Sequence, residues 1–167
     1  MNKKTISNIA SFITLVFFQI FICNQLNFLD NINPFIYVLF IILYPIGFKR
    51  SWFIFTAFTL GLIIDFFLDT GGAHAAASVS AAYFRPLFLK FSFGAAYEHQ
   101  SIKINSSELT QKLAYFSCLL FFHHLLLFTL IFFDVGKLEL IIYRTLVVGF
   151  SSLILALLLN TLFNKNY

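Results

Sequence analysis

Charged residues are scarce in this sequence. Asp, Glu, Lys and Arg together make up 11% of its 167 residues, whereas 60% of the residues are hydrophobic. A chain with so few polar side chains cannot cover the surface of a water-soluble globule, so the composition excludes that class of protein. The chain must instead be solvated by lipid.

The apolar runs indicate helices rather than strands. An unpaired backbone amide or carbonyl group costs several kcal/mol in hydrocarbon, so a membrane span is either a helix or part of a closed barrel. The strands of a barrel alternate in hydropathy over segments of about ten residues, whereas the apolar runs of this chain are continuous. The sequence therefore predicts an all-α integral membrane protein.

Motifs of catalytic and metal-binding sites are also missing. HExxH, CxxC, GxSxG and the phosphate-binding glycine loop do not occur. Cys23 and Cys118 are the only cysteines, and both lie in apolar stretches, where a free thiol packs as a small hydrophobe. His123 and His124 are adjacent, so on a helix they point about 100° apart and do not form an i,i+4 zinc pair. We expect no catalytic residue, no metal and no cofactor.

The basic residues explain orientation better than nucleic-acid binding. The net charge is +4, but Lys and Arg lie at the ends of the apolar runs, which is typical of membrane topology. Lys3 and Lys4 precede the first apolar run, as in a signal sequence, yet residues 17–24 offer no small-x-small cleavage site. We interpret this segment as an uncleaved first span and expect no nucleic-acid partner.

The charged residues divide the chain into six predicted spans, which form one transmembrane domain over residues 1–167. We place the helices near 5–24, 34–48, 51–68, 73–93, 113–133 and 140–163. The second and third are short for a bilayer core of about 30 Å. They flank only Lys49-Arg50, which favours a tight helical hairpin and leaves a re-entrant pair as the alternative.

Orientation follows from the excess of basic residues on one side. With the N-terminus inside, only Lys137 lies in an outer loop. The residues in or beside inner segments are Lys3, Lys4, Lys49, Arg50, Lys90, Lys103, Lys112 and Lys165. The polar connection 94–112 is then cytoplasmic. We predict that both termini face the cytoplasm.

Ionisable residues inside the spans are candidates for function. Such a group costs at least about 2.5–3.5 kcal/mol, so it normally faces protein or water. Asp65 lies about one turn inside the outer boundary of the third span, either as a carboxylate that reaches the interface or pairs with a neighbour, or as a functional contact. Arg85 stands near the middle of the fourth span and precedes Pro86, which can kink the helix and open a polar notch.

The arginines are predicted to pair with acids. Arg144 lies about a turn into the sixth span, and its depth favours Asp65 as its partner. Asp69 and Asp134 are the other acidic candidates for the two arginines. An architectural ion pair and a substrate or proton site both remain open as interpretations of these charges.

Small residues at 72–82 distinguish the fourth span from the Phe-rich remainder. Such residues let helix backbones approach closely. Ala76, Val79 and Ser80 share one face at i, i+3 and i+4, which either packs inside the bundle or contacts a partner helix. His74 is predicted to be a polar anchor at the membrane surface.

The segment 61–82 resembles one known family. Its residues GLIIDFF at 61–67, followed by TGGAHA at 70–75, resemble the glycine-hydrophobic-Asp turn and the Gly-x-His-Ala helix start of the rod shape-determining protein MreD family. The chain departs from the family in having Gly72-Ala73-His74 where many members have Gly-Leu-His. The Arg85-Pro86 pair and the loop 94–112 are further departures.

The resemblance implies a non-enzymatic scaffold of the bacterial elongation machinery in the inner membrane. Such a protein works with MreC and links cytoplasmic MreB filaments to the RodA glycan polymerase and its transpeptidase partner. The family is related in fold to the substrate-binding subunits of energy-coupling-factor vitamin transporters. That relation supplies the alternative function, a membrane subunit that binds a small molecule. Asp65, His74, Ala76, Ser80, Arg85 and Arg144 are the candidate structural or partner-contact residues.

Overall fold

The computed structural model of the chain describes residues 3–25, 33–98, 104 and 107–164. Within these ranges every element of secondary structure is a helix, and no strand occurs, as the sequence predicts. The α-helices are α1 (Lys3–Phe21), α2 (Val38–Leu43), α3 (Arg50–Leu68), α4 (Ala73–Phe93), α5 (Ala95–Glu98), α6 (Leu109–Phe132) and α7 (Leu138–Asn164). Short 3-10 helices follow α1 at Cys23–Gln25 and precede α7 at Val135–Lys137.

Four segments of the described chain are long and apolar enough to cross a membrane. They are Thr5–Gln25, Arg50–Leu68, Leu109–Phe132 and Val135–Leu162. At 21 residues, α4 has the length of a span. It is not among the four because its polar and charged residues, such as His74, Arg85 and Lys90, lower its mean hydropathy. The protein is therefore an α-helical chain with a membrane protein's apolar helices, built around one helix of small residues.

The long helices pack mainly on their neighbours in sequence. The helices α3 and α4 form one antiparallel pair, α6 and α7 form another, and α4 joins the two by packing on α6. The turn from α3 to α4 passes through Gly71 and Gly72, whose φ angles of 61° and 96° lie in the left-handed region that glycine adopts without strain. This places α4 between α3 and α6.

The second predicted span is not a long helix. We predict a helix over 34–48, but the structure has only the six residues of α2, which rise about 9 Å along a helix axis. Residues 34–42 are buried by protein, and Tyr44 turns to ψ 133° because the following Pro45 disfavours helical backbone. The prediction was wrong because a run of apolar residues indicates a segment removed from water, but not whether lipid or protein surrounds it.

Side chains of α1 and α7 bind the backbone of this second segment. The Gln19 Oε1 atom accepts hydrogen bonds from the amides of Ile36 and Tyr37 at 2.8 and 3.3 Å. The Ser152 hydroxyl accepts one from the Phe35 amide at 2.8 Å. Non-helical backbone is tolerated at membrane depth only where protein or water satisfies it. These polar side chains therefore make the irregular segment compatible with a membrane bundle.

Candidate functional site

The residues that carry the family resemblance meet where α3 ends and α4 begins. We call this group the α3–α4 corner; it comprises Gly61, Asp65, Thr70, His74 and Ala75. The Asp65 carboxylate is 5% exposed. Its Oδ1 accepts hydrogen bonds from the Thr70 hydroxyl and from the His74 amide, the latter at 2.9 Å. Its Oδ2 accepts one from the Ala75 amide at 2.8 Å.

Asp65 thus caps a helix to which it does not belong. The first amides of α4 have no partner within the helix, and the N-terminus carries a partial positive charge. The carboxylate satisfies both needs, so hydrogen bonds from the backbone of α4 compensate its burial. The structure shows Asp65 paired with a neighbour, which is the backbone of α4.

Gly61 allows the two helices of the corner to touch. A Cβ atom placed on Gly61 would lie 2.5 Å from both the Ala75 Cα and the His74 carbonyl oxygen. Real Cβ atoms do not approach backbone so closely, and backbone cannot move aside as a side chain does. The glycine is therefore required by contact with α4 rather than by its own φ angle.

His74 lies inside the bundle. We predict it at the membrane surface, but its side chain is fully buried, and its Nδ1 is 2.7 Å from the Tyr37 hydroxyl. That hydroxyl is also 3.0 Å from His123 Nε2. The burial of this side chain was not predicted, because the position in sequence, just after a turn, does not say which way the first turn of α4 faces. Tyr37 thus links the second segment to α4 and α6.

The partners of Arg85 among the described residues are neutral. Its Nε donates to the Tyr115 hydroxyl at 2.7 Å, and one terminal nitrogen donates to the Ile42 and Tyr44 carbonyls, to Ile42 at 3.1 Å. The Phe53 ring lies 5.2 Å from its guanidinium carbon. These groups, none of them acidic, hold a side chain that is 5% exposed.

Asp65 and Arg85 form hydrogen bonds other than the ion pairs predicted from depth. Arg85 is ten residues beyond Ala75 along α4, about 15 Å from the amides that Asp65 binds. Asp65 takes its hydrogen bonds from the corner rather than from Arg144, which is half-buried in α7. Asp134 is exposed and accepts from the Gly136 amide at 2.9 Å. Depth alone therefore did not identify the hydrogen-bond partners of Asp65 and Arg85.

The small residues of α4 lie on two faces. Ala75, Ala77, Ser78, Ala81 and Ala82 are buried against the neighbouring helices. Ala76 is exposed, Val79 and Ser80 are half-buried, and Tyr83 is 53% exposed. We call Ala76, Val79, Ser80 and Tyr83 the outer face of α4. Ala73, three residues before Ala76, is buried.

Several polar residues of the core were not predicted to be important. Gln19 and Ser152 hold the second segment, and His124 bonds the Leu120 carbonyl at 2.7 Å and Ser152 at 3.2 Å. Gln19 could have been identified from the sequence, because it lies within an apolar run and a buried side-chain amide needs hydrogen-bond partners. The serine had no such signal, since serine is common in membrane helices.

The described residues bring together no group of three or more His, Cys, Asp or Glu side chains that could hold a metal ion. Comparison of the chain with family models, with curated proteins and with solved structures finds no match in any of the three.

Proposed function

We propose that this chain is a non-enzymatic scaffold of the bacterial cell-elongation machinery. In this proposal it resides in the inner membrane with both termini in the cytoplasm. It crosses the membrane six times, the second crossing being the irregular segment around α2. There it helps MreC couple MreB filaments to peptidoglycan synthesis by RodA and its transpeptidase partner.

The α3–α4 corner is the observation that supports this proposal. The residues on which the family resemblance rests are spread over 61–75, yet in the structure each depends on the others. Asp65 binds the amides of His74 and Ala75, and Gly61 contacts the same stretch of backbone. A motif whose members contact one another is more informative than one matched by spacing alone.

The corner also has a mechanical consequence that suits a scaffold. It fixes the direction in which α4 leaves the turn, and therefore which side chains of α4 face outwards. These include the small side chains of Ala76 and Ser80, with Tyr83 one turn further along. Small residues allow close contact between helices in a membrane, where apolar surface by itself gives little attraction. We propose that MreC contacts this outer face.

The alternative function, a vitamin-type binding subunit, has less support. It needs an outward-facing cavity lined by several polar and aromatic groups. Three polar residues of the core instead contact one another, because the Tyr37 hydroxyl lies within hydrogen-bond distance of both His74 and His123. A cavity of about 600 Å³ lies at the starts of α1 and α3, away from the corner, and apolar side chains dominate its lining.

The test is to enlarge the outer face. Ala76→Phe and Ser80→Phe raise hydrophobicity, so we expect normal insertion. We expect both variants to reach wild-type abundance in the membrane of a rod-shaped host, to lose co-purification with MreC and to lose rod shape. Ala10→Phe is the matched control, because Ala10 is exposed on α1.

A second control separates partner binding from folding. Ala77 is fully buried, so Ala77→Phe should reduce abundance itself. Wild-type recovery of MreC with both outer-face variants would contradict the proposed contact. Recovery of a soluble vitamin with the purified protein would support the alternative function.

A further inference from the structure

A cavity of about 300 Å³ opens beside Arg85, between the turn that follows α2, the start of α3 and the middle of α4. Its polar lining includes the side chains of Arg50, Arg85 and Tyr97. Gly47 and Pro86 also line it, and no Asp or Glu is among the described residues that do so. Two guanidinium groups therefore share one cavity without a carboxylate in its described lining.

The contacts of Arg85 with the described residues compensate its charge only in part. Its hydrogen bonds go to a phenol hydroxyl and to carbonyl oxygens, which solvate a cation without neutralising it. A buried charge is stable at membrane depth when a counter-charge or water is close. Arg50 is exposed at the rim, where it donates to the Tyr83 carbonyl at 3.2 Å and lies 4.6 Å from the Tyr83 ring. The cavity is thus suited to an anion.

An apolar groove adjoins this cavity. It has a volume of about 600 Å³, lies between α1 and α3, and shares Tyr44 and Phe48 with the arginine cavity. Phe12, Phe40, Trp52 and Phe55 are among its lining residues. Lys49 lines the same end of the groove, beside Arg50 in sequence. An anionic head beside an apolar tail is the chemistry of a phospholipid.

We propose that the two spaces bind one anionic phospholipid, with its phosphate at Arg50 and Arg85 and an acyl chain in the groove between α1 and α3. Guanidinium groups bind phosphate oxygens through paired, charge-assisted hydrogen bonds. The lipid would fill the gap between α1 and α3 and tie the turn after α2 to both helices. This site does not depend on the scaffold function.

The experiment measures thermal unfolding of the full chain in detergent as lipid is added. We expect phosphatidylglycerol to raise the Tm of the wild type more than phosphatidylcholine does. Arg50→Gln should raise about fivefold the phosphatidylglycerol concentration that gives half of the Tm increase, since a basic residue near anionic lipid contributes about 1 kcal/mol to binding. Arg50→Lys, which keeps the charge, should retain most of it. Lys137→Gln removes the same charge from the 3-10 helix before α7 and should behave as the wild type.

A groove variant tests the position of the acyl chain. Thr56→Trp fills the groove without altering either arginine, so it should weaken phosphatidylglycerol binding. Inorganic phosphate serves as the probe for a free anion. Equal stabilisation by inorganic phosphate would overturn the lipid in favour of a free anion, and equal stabilisation by phosphatidylcholine would overturn the charge requirement. If phosphatidylglycerol raised the Tm of Arg50→Gln and of Lys137→Gln equally, the proposed phosphate site would be wrong. If it raised the Tm of Thr56→Trp as much as that of the wild type, the proposed position of the acyl chain would be wrong.

Discussion

Arg85 and Tyr115 are joined by a 2.7 Å hydrogen bond and both donate to the carbonyl oxygen of Ile42, at 3.1 and 3.0 Å. The three residues belong to α4, α6 and α2. The pair therefore closes the end of the short helix, where carbonyl groups have no partner within the helix. Arg85 is required by this backbone as well as by any ligand of the adjoining cavity.

We expect Arg85→Leu and Tyr115→Phe each to lower the free energy of unfolding by about 1–3 kcal/mol, because each leaves buried groups unsatisfied. A double-mutant cycle should give a coupling energy of about 0.5–3 kcal/mol, as for residues of one network. Denaturant titration in a fixed detergent measures these values. Asp134→Asn should not rescue Arg85→Leu, because Asp134 is exposed and bonds Gly136 instead. Additive effects of the two substitutions would contradict the shared role.

Gly61→Ala should destabilise the protein by about 1–3 kcal/mol or more, because its methyl group would overlap the backbone of Ala75. Gly149→Ala is the matched control in another helix. There the added Cβ would lie 2.6 Å from the Phe121 ring, a side chain that can rotate away. We therefore expect thermal unfolding to give a lower Tm for Gly61→Ala than for Gly149→Ala. The reverse order would argue against the close contact between Gly61 and α4.

Asp65→Asn should cost about 1–2 kcal/mol, the usual effect of losing a helix cap, because the amide nitrogen replaces an oxygen that accepts from backbone. Asp69→Asn makes the same chemical change at an exposed residue whose φ of 53° asparagine also adopts readily. We expect it to change stability by less than about 0.5 kcal/mol. Proteolysis at the turn 69–72 should accelerate only in the first variant. Equal behaviour of the two would mean that the cap contributes little.

Labelling of single cysteines tests the orientation. With Cys23 and Cys118 replaced, we expect positions 30 and 137 to react from the periplasm and positions 49 and 103 from the cytoplasm. Positions 30 and 103 lie outside the described residues. The physical reason is the excess of basic residues at the second pair of sites. The opposite labelling at either pair would rule out the proposed six crossings.

Sequence patterns located the long helices well where polar or glycine residues mark their ends. The fourth predicted helix, 73–93, is Ala73–Phe93 in the structure, and the third, 51–68, is Arg50–Leu68. Gly71 and Gly72 mark the turn between them, and Gly94 ends α4. Glycine at such positions reflects local backbone geometry, which the neighbouring sequence encodes. These bounds did not require knowledge of the fold.

The partners of the polar residues could not be read in the same way. Depth favoured Arg144 as the partner of Asp65, and acids as partners of Arg85. The structure instead provides the amides of α4 and the carbonyls of Ile42 and Tyr44. Backbone groups are present at every residue, so no side-chain pattern singles out those that a fold leaves without a helical partner.

The sequence by itself determined that this chain is helical and apolar enough for a membrane. Its composition requires solvation by lipid, and in hydrocarbon the backbone must form its hydrogen bonds within the protein. Only the tertiary structure decided that 34–42 is enclosed by protein, that His74 faces Tyr37 and that Ala76 faces outwards. Hydropathy is equally high for a segment buried in lipid and for one buried in protein. The difference arises from long-range contacts such as those from Gln19 and Ser152, which join residues distant in the chain.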